Sequence, residues 1–235
     1  MNLNLVQIWA HMSAANKGVA FVLFAMGVSF ICVTIERLIA FSRSAKESRS
    51  FALHAGKLLE TMQVEEIVPL ADKYKTSMLA RLFGPIVRRY IHGFEDLGQG
   101  GLTPIELARN EAARRQEAVG EELRRGMNVV ATVGSIAPFV GLLGTVIGII
   151  GAFGQIGSSG SSGVSGIMSA IAEALIETAF GLVVAIPSVI AFNYLNAKIA
   201  LIETALGRSA GELLDELENQ LGRSGERRDA GKHAA

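Results

Sequence analysis

Three long apolar runs dominate the pattern of hydrophobic and polar positions along the chain. The first, 19–35, contains no charged residue. The second, 127–172, is also free of charge, but it is too long for one membrane helix, and the sequence GSSGSSG at 157–163 divides it as a solvated turn would. The third covers the 20 residues 178–197. Because a bilayer core of about 30 Å needs about 20 helical residues, the pattern predicts three transmembrane helices.

These runs predict an all-α integral membrane protein with long cytoplasmic helical extensions. Residues 1–17 are expected to form either an interfacial helix on the outer face or a frayed terminus. The predicted segments, in chain order, are the outer-face segment 1–17, transmembrane helix 18–40, cytoplasmic helical domain 41–128, transmembrane helix 129–156, periplasmic Gly/Ser loop 157–166, transmembrane helix 167–196, and cytoplasmic tail 197–235 with a disordered end from 222.

The basic residues predict the orientation of the helices. Region 42–128 contains 14 Lys and Arg, and the tail from Lys198 contains six, whereas loop 157–166 has none and the N-terminal segment has only Lys17. By the positive-inside rule, the N-terminus lies in the periplasm and the C-terminus in the cytoplasm. The first basic cluster follows the first apolar run, which argues against a cleaved signal peptide.

Composition adds little chemistry outside the membrane. Half of the residues are hydrophobic, and the formal net charge of zero gives no indication of nucleic-acid binding. Cys32 is the single cysteine, so neither a disulfide nor a pair of thiolate ligands is expected. We expect no metal and no cofactor other than the ion that the protein moves.

Between the first two apolar runs the pattern is helical. We expect interruptions at Pro69 and Pro85. The sequence TPIE, beginning at Thr103, predicts a capping box that starts a helix. No later stop precedes Pro138, so the pattern predicts one continuous helix over 104–156, about 80 Å long at 1.5 Å per residue.

The second and third runs each carry a stripe of small or polar positions at helical spacing. In the second run we assign glycines to helix packing, and in the third Pro187 is expected to bend the helix. The third-run stripe consists of Ala170, Glu173, Ala174, Glu177, Gly181, Ala185 and Ser188. The predicted packing positions are Gly141, Gly144, Gly148, Gly151, Gly181 and Pro187.

Glu173 and Glu177 are the residues that most need a function. A carboxylate at the centre of a membrane helix costs about 3 kcal/mol, and the apolar runs contain no Lys, Arg or His to pair with it. Such an acid must be protonated, hydrated or matched by another chain. It could instead lie at the outer headgroup level or form a static ion pair. A proton or ion pathway needs self-association or a partner helix, because three helices enclose no pore.

Two long motifs identify a family resemblance. The sequence GSIAPFVGLLGTVIGIIGAF at 134–153, followed by IAEALIETAFGLVVAIPSVIAFN at 171–193, resembles the MotA/TolQ/ExbB proton-channel family in its ExbB/TolQ branch. The resemblance implies a homopentamer in the bacterial inner membrane around a dimeric ExbD/TolR-like single-span partner. It also implies that the proton motive force drives work on a TonB- or TolA-like protein.

By the same resemblance, Glu173, Thr145 and Thr178 would line a proton path. On an ideal helix Thr178 lies about 140° from Glu173, so both cannot face one narrow pore. The chain departs from the family pattern at Glu177, where the usual residue is alanine. Glu177 could be an extra proton relay, a site for a differently charged partner, or a permanently protonated acid.

Other functions stay open at this point. The related alternatives are the stator of a specialised motor, such as gliding machinery, and a membrane scaffold that conducts nothing. The GSSG repeats match a motif of rhomboid-type proteases, but the apolar runs lack the histidine that the nucleophile needs, so we expect no enzyme. A solute transporter is disfavoured because three spans show no inverted repeat. Whether sodium replaces the proton is left open.

Overall fold

The structure is a computed structural model that describes the backbone of residues 12–95, 101–159 and 164–233. Within these ranges it contains six α-helices and one 3₁₀ turn, and no strand. The helices are α1 Ala14–Glu60, α2 Ile67–Lys73, α3 Met78–Glu95, α4 Pro104–Arg124, α5 Met127–Ser159 and α6 Val164–His233.

Three of these helices, α1, α5 and α6, are long and apolar enough to cross a membrane. This confirms the predicted fold class, an all-α membrane protein with three spans and long helical extensions. Residues 1–11 of the predicted interfacial segment 1–17 lie outside the described residues, which begin at Met12. The assignment of each segment to one side of the membrane stays a prediction.

The chain divides into two compact units. The membrane unit comprises Met1–Arg37 and Gly126–Asn196, and the charged unit comprises Leu38–Arg125 and Ala197–Ala235. In the membrane unit, a small apolar core brings together side chains from all three spanning helices. Its buried members are Val19, Leu23, Phe30, Val133, Ala137, Val184 and Ala185.

The charged unit is held by an apolar core, by a buried hydrogen bond and by ion pairs at its surface. The hydroxyl group of Tyr90 donates to the carbonyl oxygen of Leu217 at 3.2 Å, and burial raises the pKa of Tyr90. The most deeply buried large side chains of this unit are Phe41, Phe51, Ile67, Leu82, Ile86, Leu123, Ile199, Leu213 and Leu217.

Glu111 accepts hydrogen bonds from two arginines one turn further along α4. The closest contacts are 2.9 Å from Arg114 and 2.7 Å from Arg115. Burial alone would raise the pKa of Glu111, but these two guanidinium groups outweigh it, so its pKa lies below the ordinary value. The pair therefore favours the ionised carboxylate in the folded chain.

The predicted capping box is confirmed. The side chain of Thr103 accepts from the backbone N–H of Glu106 at 3.3 Å, while the Glu106 carboxylate accepts from the backbone N–H of Thr103 at 2.8 Å. Pro104 occupies the first turn, where its missing N–H costs nothing. Helix α4 therefore starts where the sequence predicts.

The predicted continuous helix over 104–156 is wrong. Helix α4 ends at Arg124, and Gly126 adopts φ +78°, a left-handed conformation that glycine adopts readily. Helix α5 then begins at Met127, directly after that turn. Hydrophobic periodicity alone does not reveal such a break, because a single left-handed glycine does not interrupt the periodic pattern.

The predicted interruptions at the two prolines are also wrong. Pro69 is the third residue of α2, and Pro85 lies inside α3. A proline in a first turn removes no helical hydrogen bond. Around Pro85, the flanking Leu82 and Ile86 are fully buried, so packing stabilises the helix despite the proline.

The ends of α5 and α6 differ from the predicted loop and tail. Helix α5 continues to Ser159 and α6 begins at Val164, so both helices extend into the predicted Gly/Ser loop 157–166. Helix α6 also runs to His233, beyond residue 222, from which the sequence predicts disorder; the predicted disorder stays a prediction. Extending an existing helix costs much less than starting one, since each added residue gains a hydrogen bond.

Candidate proton-pathway site

The candidate site lies where α5 and α6 cross within the membrane unit. The two backbones touch at Gly141 and Gly181. A Cβ atom added at Gly181 would lie 2.7 Å from the carbonyl oxygen of Ala137, and one at Gly141 would lie 2.9 Å from that of Glu177. Only glycine permits this approach, which brings polar side chains of the two helices within reach of each other.

A pair of hydroxyl groups flanks this crossing. The Thr145 and Thr178 Oγ1 atoms are in direct hydrogen-bond contact. Thr145 Oγ1 also lies 3.2 Å from the carbonyl oxygen of Gly141 and 3.1 Å from that of Ala174, and Thr178 Oγ1 lies 3.1 Å from the same Gly141 oxygen. Because a hydroxyl group both donates and accepts, the pair can exchange hydrogen-bond partners without moving the helices.

The two hydroxyl groups differ in exposure. Thr145 is buried, whereas Thr178 is partly exposed. Glu173, about one and a half turns before Thr178 on α6, is also partly exposed. The structure thus brings Thr145 and Thr178 together and leaves Glu173 and Thr178 both accessible from outside the chain.

Glu177 lies in a different environment from Glu173. Its side chain is 2% exposed, and neither carboxyl oxygen has a hydrogen-bond partner among the described residues. Its Oε2 atom occupies the space that a Cβ on Gly144 would fill, and the same space is bordered by Val19 of α1. Glu177 therefore points into the packing between α1, α5 and α6 of its own chain.

The small-or-acidic stripe predicted on the third span faces the same interior. From Ala174 onward its members Glu177, Gly181, Ala185 and Ser188 are all buried within the single chain. Ser188 donates to the carbonyl oxygen of Val130 at 2.8 Å, a further polar link between α5 and α6. Most of this stripe thus packs inside one chain.

Two predicted packing positions do not share the crossing. A Cβ added at Gly151 would meet no atom within 4 Å, so this glycine makes no close approach within one chain. Pro187 lies inside α6, and the bend assigned to it stays a prediction. Gly148, in contrast, packs closely against Ala174.

The sequence interpretation missed Asn16. This side chain is 3% exposed, and its amide nitrogen lies 3.0 Å from the position of a Cβ on Gly148. Its amide oxygen has no hydrogen-bond partner among the described residues. Its position could have been found from helical spacing. Asn16 lies three residues before Val19 and seven before Leu23, which places its amide group on the buried face of α1.

Comparison with known proteins decides the family. The model of the MotA/TolQ/ExbB proton channel family matches residues 86–208, just over half of the chain. A "Biopolymer transport protein ExbB" of Neisseria meningitidis serogroup A is 30% identical over 221 residues, covering 93% of this chain and 99% of that protein. The chain belongs to the MotA/TolQ/ExbB proton channel family. Its similarity to ExbB proteins places it in the ExbB branch.

Two further relatives with the same name match over a shorter region. The Salmonella typhimurium protein is 43% identical over 101 residues, and a Xanthomonas campestris pv. campestris protein is 50% identical over 104 residues. These alignments span 43% and 42% of this chain and 41% of each relative. The family is one of proton-channel, stator-type subunits of the bacterial inner membrane and is not an enzyme class.

Proposed function

We propose that this chain is the proton-channel subunit of an inner-membrane motor that drives a TonB- or TolA-like partner. The observation that carries the proposal is the contact between the hydroxyl groups of Thr145 on α5 and Thr178 on α6. Glu173 lies on α6, about one and a half turns before Thr178, and is partly exposed. All three residues lie inside the region that matches the proton-channel family.

The proposal requires association with other chains. Large apolar side chains are exposed along the spanning helices, which suits contact with lipid or with further protein. We infer a homopentamer that surrounds the single membrane helices of an ExbD/TolR-like dimer. Examples of the exposed residues are Phe21, Phe24, Phe139, Leu142, Ile150, Leu175, Val183 and Ile190.

In such an assembly the hydroxyl groups would serve an acidic group of the partner. A charged carboxylate in a channel needs polar groups around it, and protonation lets it pass apolar surfaces. Thr178, supported by Thr145, offers a donor or an acceptor as the partner's protonation changes. Glu173 supplies a second acceptor about one and a half turns away. Proton transfer would then bias one packing arrangement over another, which is how ion flow becomes motion.

Orientation follows the charge pattern and is part of the proposal. The N-terminus would lie in the periplasm and the C-terminus in the cytoplasm, with the charged unit, which contains nearly all of the Lys and Arg residues, on the cytoplasmic side. The work on the partner would support import across the outer membrane or maintenance of the envelope.

Proton flux tests the proposal. The chain is co-purified with an ExbD/TolR-like protein and reconstituted in vesicles, and flux is driven by a pH gradient. Replacing Thr145 with Val removes the hydroxyl group and should lower flux by about 10²-fold, the usual effect of losing one positioned proton-transfer group. The matched control is Ser135→Ala on the same helix, since Ser135 is exposed and donates only to its own helix.

Each outcome has a distinct meaning. Loss of flux in Thr145→Val and Glu173→Gln, with normal flux in Ser135→Ala, supports the pathway. Normal flux in both pathway variants would refute it. An assembled complex that conducts nothing in the wild type, yet restores function in cells, would show a scaffold instead.

A further inference from the structure

Four buried side-chain oxygen atoms in the membrane unit have no hydrogen-bond partner among the described residues. One belongs to Thr34, and the other three belong to two side chains that pack against α5. These three are the two carboxyl oxygens of Glu177 and the amide oxygen of Asn16. Their side chains are 2% and 3% exposed, so bulk water reaches neither. A buried oxygen without a donor destabilises the folded state, which makes both groups unexpected as plain packing.

The two side chains lie along the same seam between α1, α5 and α6. Asn16 approaches Gly148, and Glu177 approaches Gly144, one helical turn away on α5. Val19, one turn after Asn16 on α1, borders the Gly144 space as well. Four residues of α-helix rise about 6 Å, so the two groups lie roughly that far apart along the seam. A rotamer change or one bridging water spans such a separation.

What these oxygens lack is a hydrogen-bond donor or a positive charge. On α5 the facing residues are glycines, and on α1 the facing neighbours of Asn16 are apolar. The nearest charged group on α6 is Glu173, one turn earlier, and Lys17 follows Asn16 on α1. Glu173 is a like charge, so it cannot serve as the missing partner. Lys17 is partly exposed and donates to none of the three oxygens.

We propose that Asn16 and Glu177 form a proton-binding site inside each subunit, separate from the hydroxyl pair Thr145 and Thr178. The proton binds one carboxyl oxygen of Glu177, forming an O–H group that can donate to the amide oxygen of Asn16 through one bridging water or after a rotamer change. Divalent metal cations take about six or more oxygen ligands, whereas these two side chains offer three. A proton needs only one.

This site adds an internal proton-binding group to the proposed channel. It rests on the proposed function only in assuming that the chain binds and releases protons. It places Glu177 off the path that a partner helix would touch, because the carboxyl group is buried within the chain. In a homopentamer the site would recur in every subunit. Its protonation would act on the packing of α1 against the other two spans.

Infrared difference spectroscopy on the reconstituted complex tests the site. Spectra taken across a pH step should contain a carboxyl C=O band that disappears in Glu177→Gln. In Asn16→Leu, which keeps the side-chain size and removes the amide, the same band should persist at a shifted frequency. Should Glu177→Gln fail to assemble, Glu177→Asp keeps a carboxyl group and should shift the band.

Thr34→Val is the matched control for Asn16→Leu. Thr34 also has a buried, unpartnered oxygen on α1, but it is 18 residues away, about 27 Å along the helix. The Glu177 band should be unchanged in this variant. The proposal would be overturned if the frequency of the Glu177 band did not change in Asn16→Leu. It would also be overturned if Thr34→Val shifted the band as much as Asn16→Leu does.

The remaining outcomes separate this site from the channel itself. If Glu173→Gln abolishes flux while the Glu177 band keeps its response to Asn16→Leu, both proposals stand. If neither Thr145→Val nor Glu173→Gln changes proton flux, the proposed channel function is refuted. The infrared band of Glu177 then still shows whether the internal proton-binding site exists. A band that responds to sodium at constant pH would replace the proton by a metal cation and refute the proposal.

Discussion

Gly144→Ala probes the packing of Glu177 most directly. The added methyl group would overlap Glu177 Oε2, and it would lie 2.9 Å from the carboxyl carbon and 3.0 Å from a methyl group of Val19. Ordinary contacts between such atoms are about 3.5–4.0 Å. The carboxyl group must therefore leave its position, while Val19 must also yield.

The magnitude follows from two opposing effects. Moving the carboxyl group and crowding Val19 should cost about 1–3 kcal/mol, as overpacked cores do. Replacing glycine by alanine inside a helix returns up to about 1 kcal/mol. We expect a net loss of up to about 2 kcal/mol in the free energy of unfolding. Glu177→Ala should remove the clash, giving a coupling energy of about 1–3 kcal/mol between the two sites.

The assay is a double-mutant cycle on the purified protein in detergent micelles, with unfolding followed by circular dichroism. Gly151→Ala is the matched control on the same helix, because its added methyl group meets no atom within 4 Å. That control should be neutral or slightly stabilising. If Gly144→Ala behaves like Gly151→Ala, or if the cycle shows no coupling to Glu177→Ala, the carboxyl group does not pack against Gly144.

Three further predictions concern the charged unit, with thermal or chemical unfolding as the measurement. Thr103→Ala removes the capping box and should cost about 1 kcal/mol, whereas Thr103→Ser should cost little; equal losses would contradict the cap. The pKa of Glu111 is lowered by its two arginines, so its contribution to stability is full above about pH 4.3 and is lost as pH falls through the folded pKa. Glu111→Gln should flatten that acid-side slope, and an unchanged slope would refute the pairing. Tyr90→Phe loses the hydrogen bond to Leu217 and should cost about 1 kcal/mol; no loss would show that the bond adds nothing.

The sequence features that predicted structure correctly were local ones, formed by residues close together in the chain. The three apolar runs and the capping box at Thr103 are local patterns, and each was confirmed. The break at Gly126 was missed because a left-handed glycine leaves no trace in hydrophobic periodicity. The helix through Pro85 was missed because burial of its neighbours outweighs the local preference of proline.

The candidate site was likewise predictable only in part from the sequence. Glu173, Thr145 and Thr178 could be named from motifs, and the structure brings the two hydroxyl groups into contact. The role of the three residues in a proton path stays a proposal. The separation of Glu177 from Glu173 could not be derived from one helix, because both lie on the same predicted stripe. It depends on the packing of α1, which also brings in Asn16 from more than 150 residues away in the chain.

Proton flux in Glu173→Gln tests the central claim most directly. Vesicles containing the chain and an ExbD/TolR-like protein, the proposed partner, are given a pH gradient, and Glu173→Gln is compared with wild type at equal complex content. The channel mechanism predicts that flux falls by about 10²-fold or more while the complex stays assembled. Flux equal to wild type in an assembled complex would contradict it.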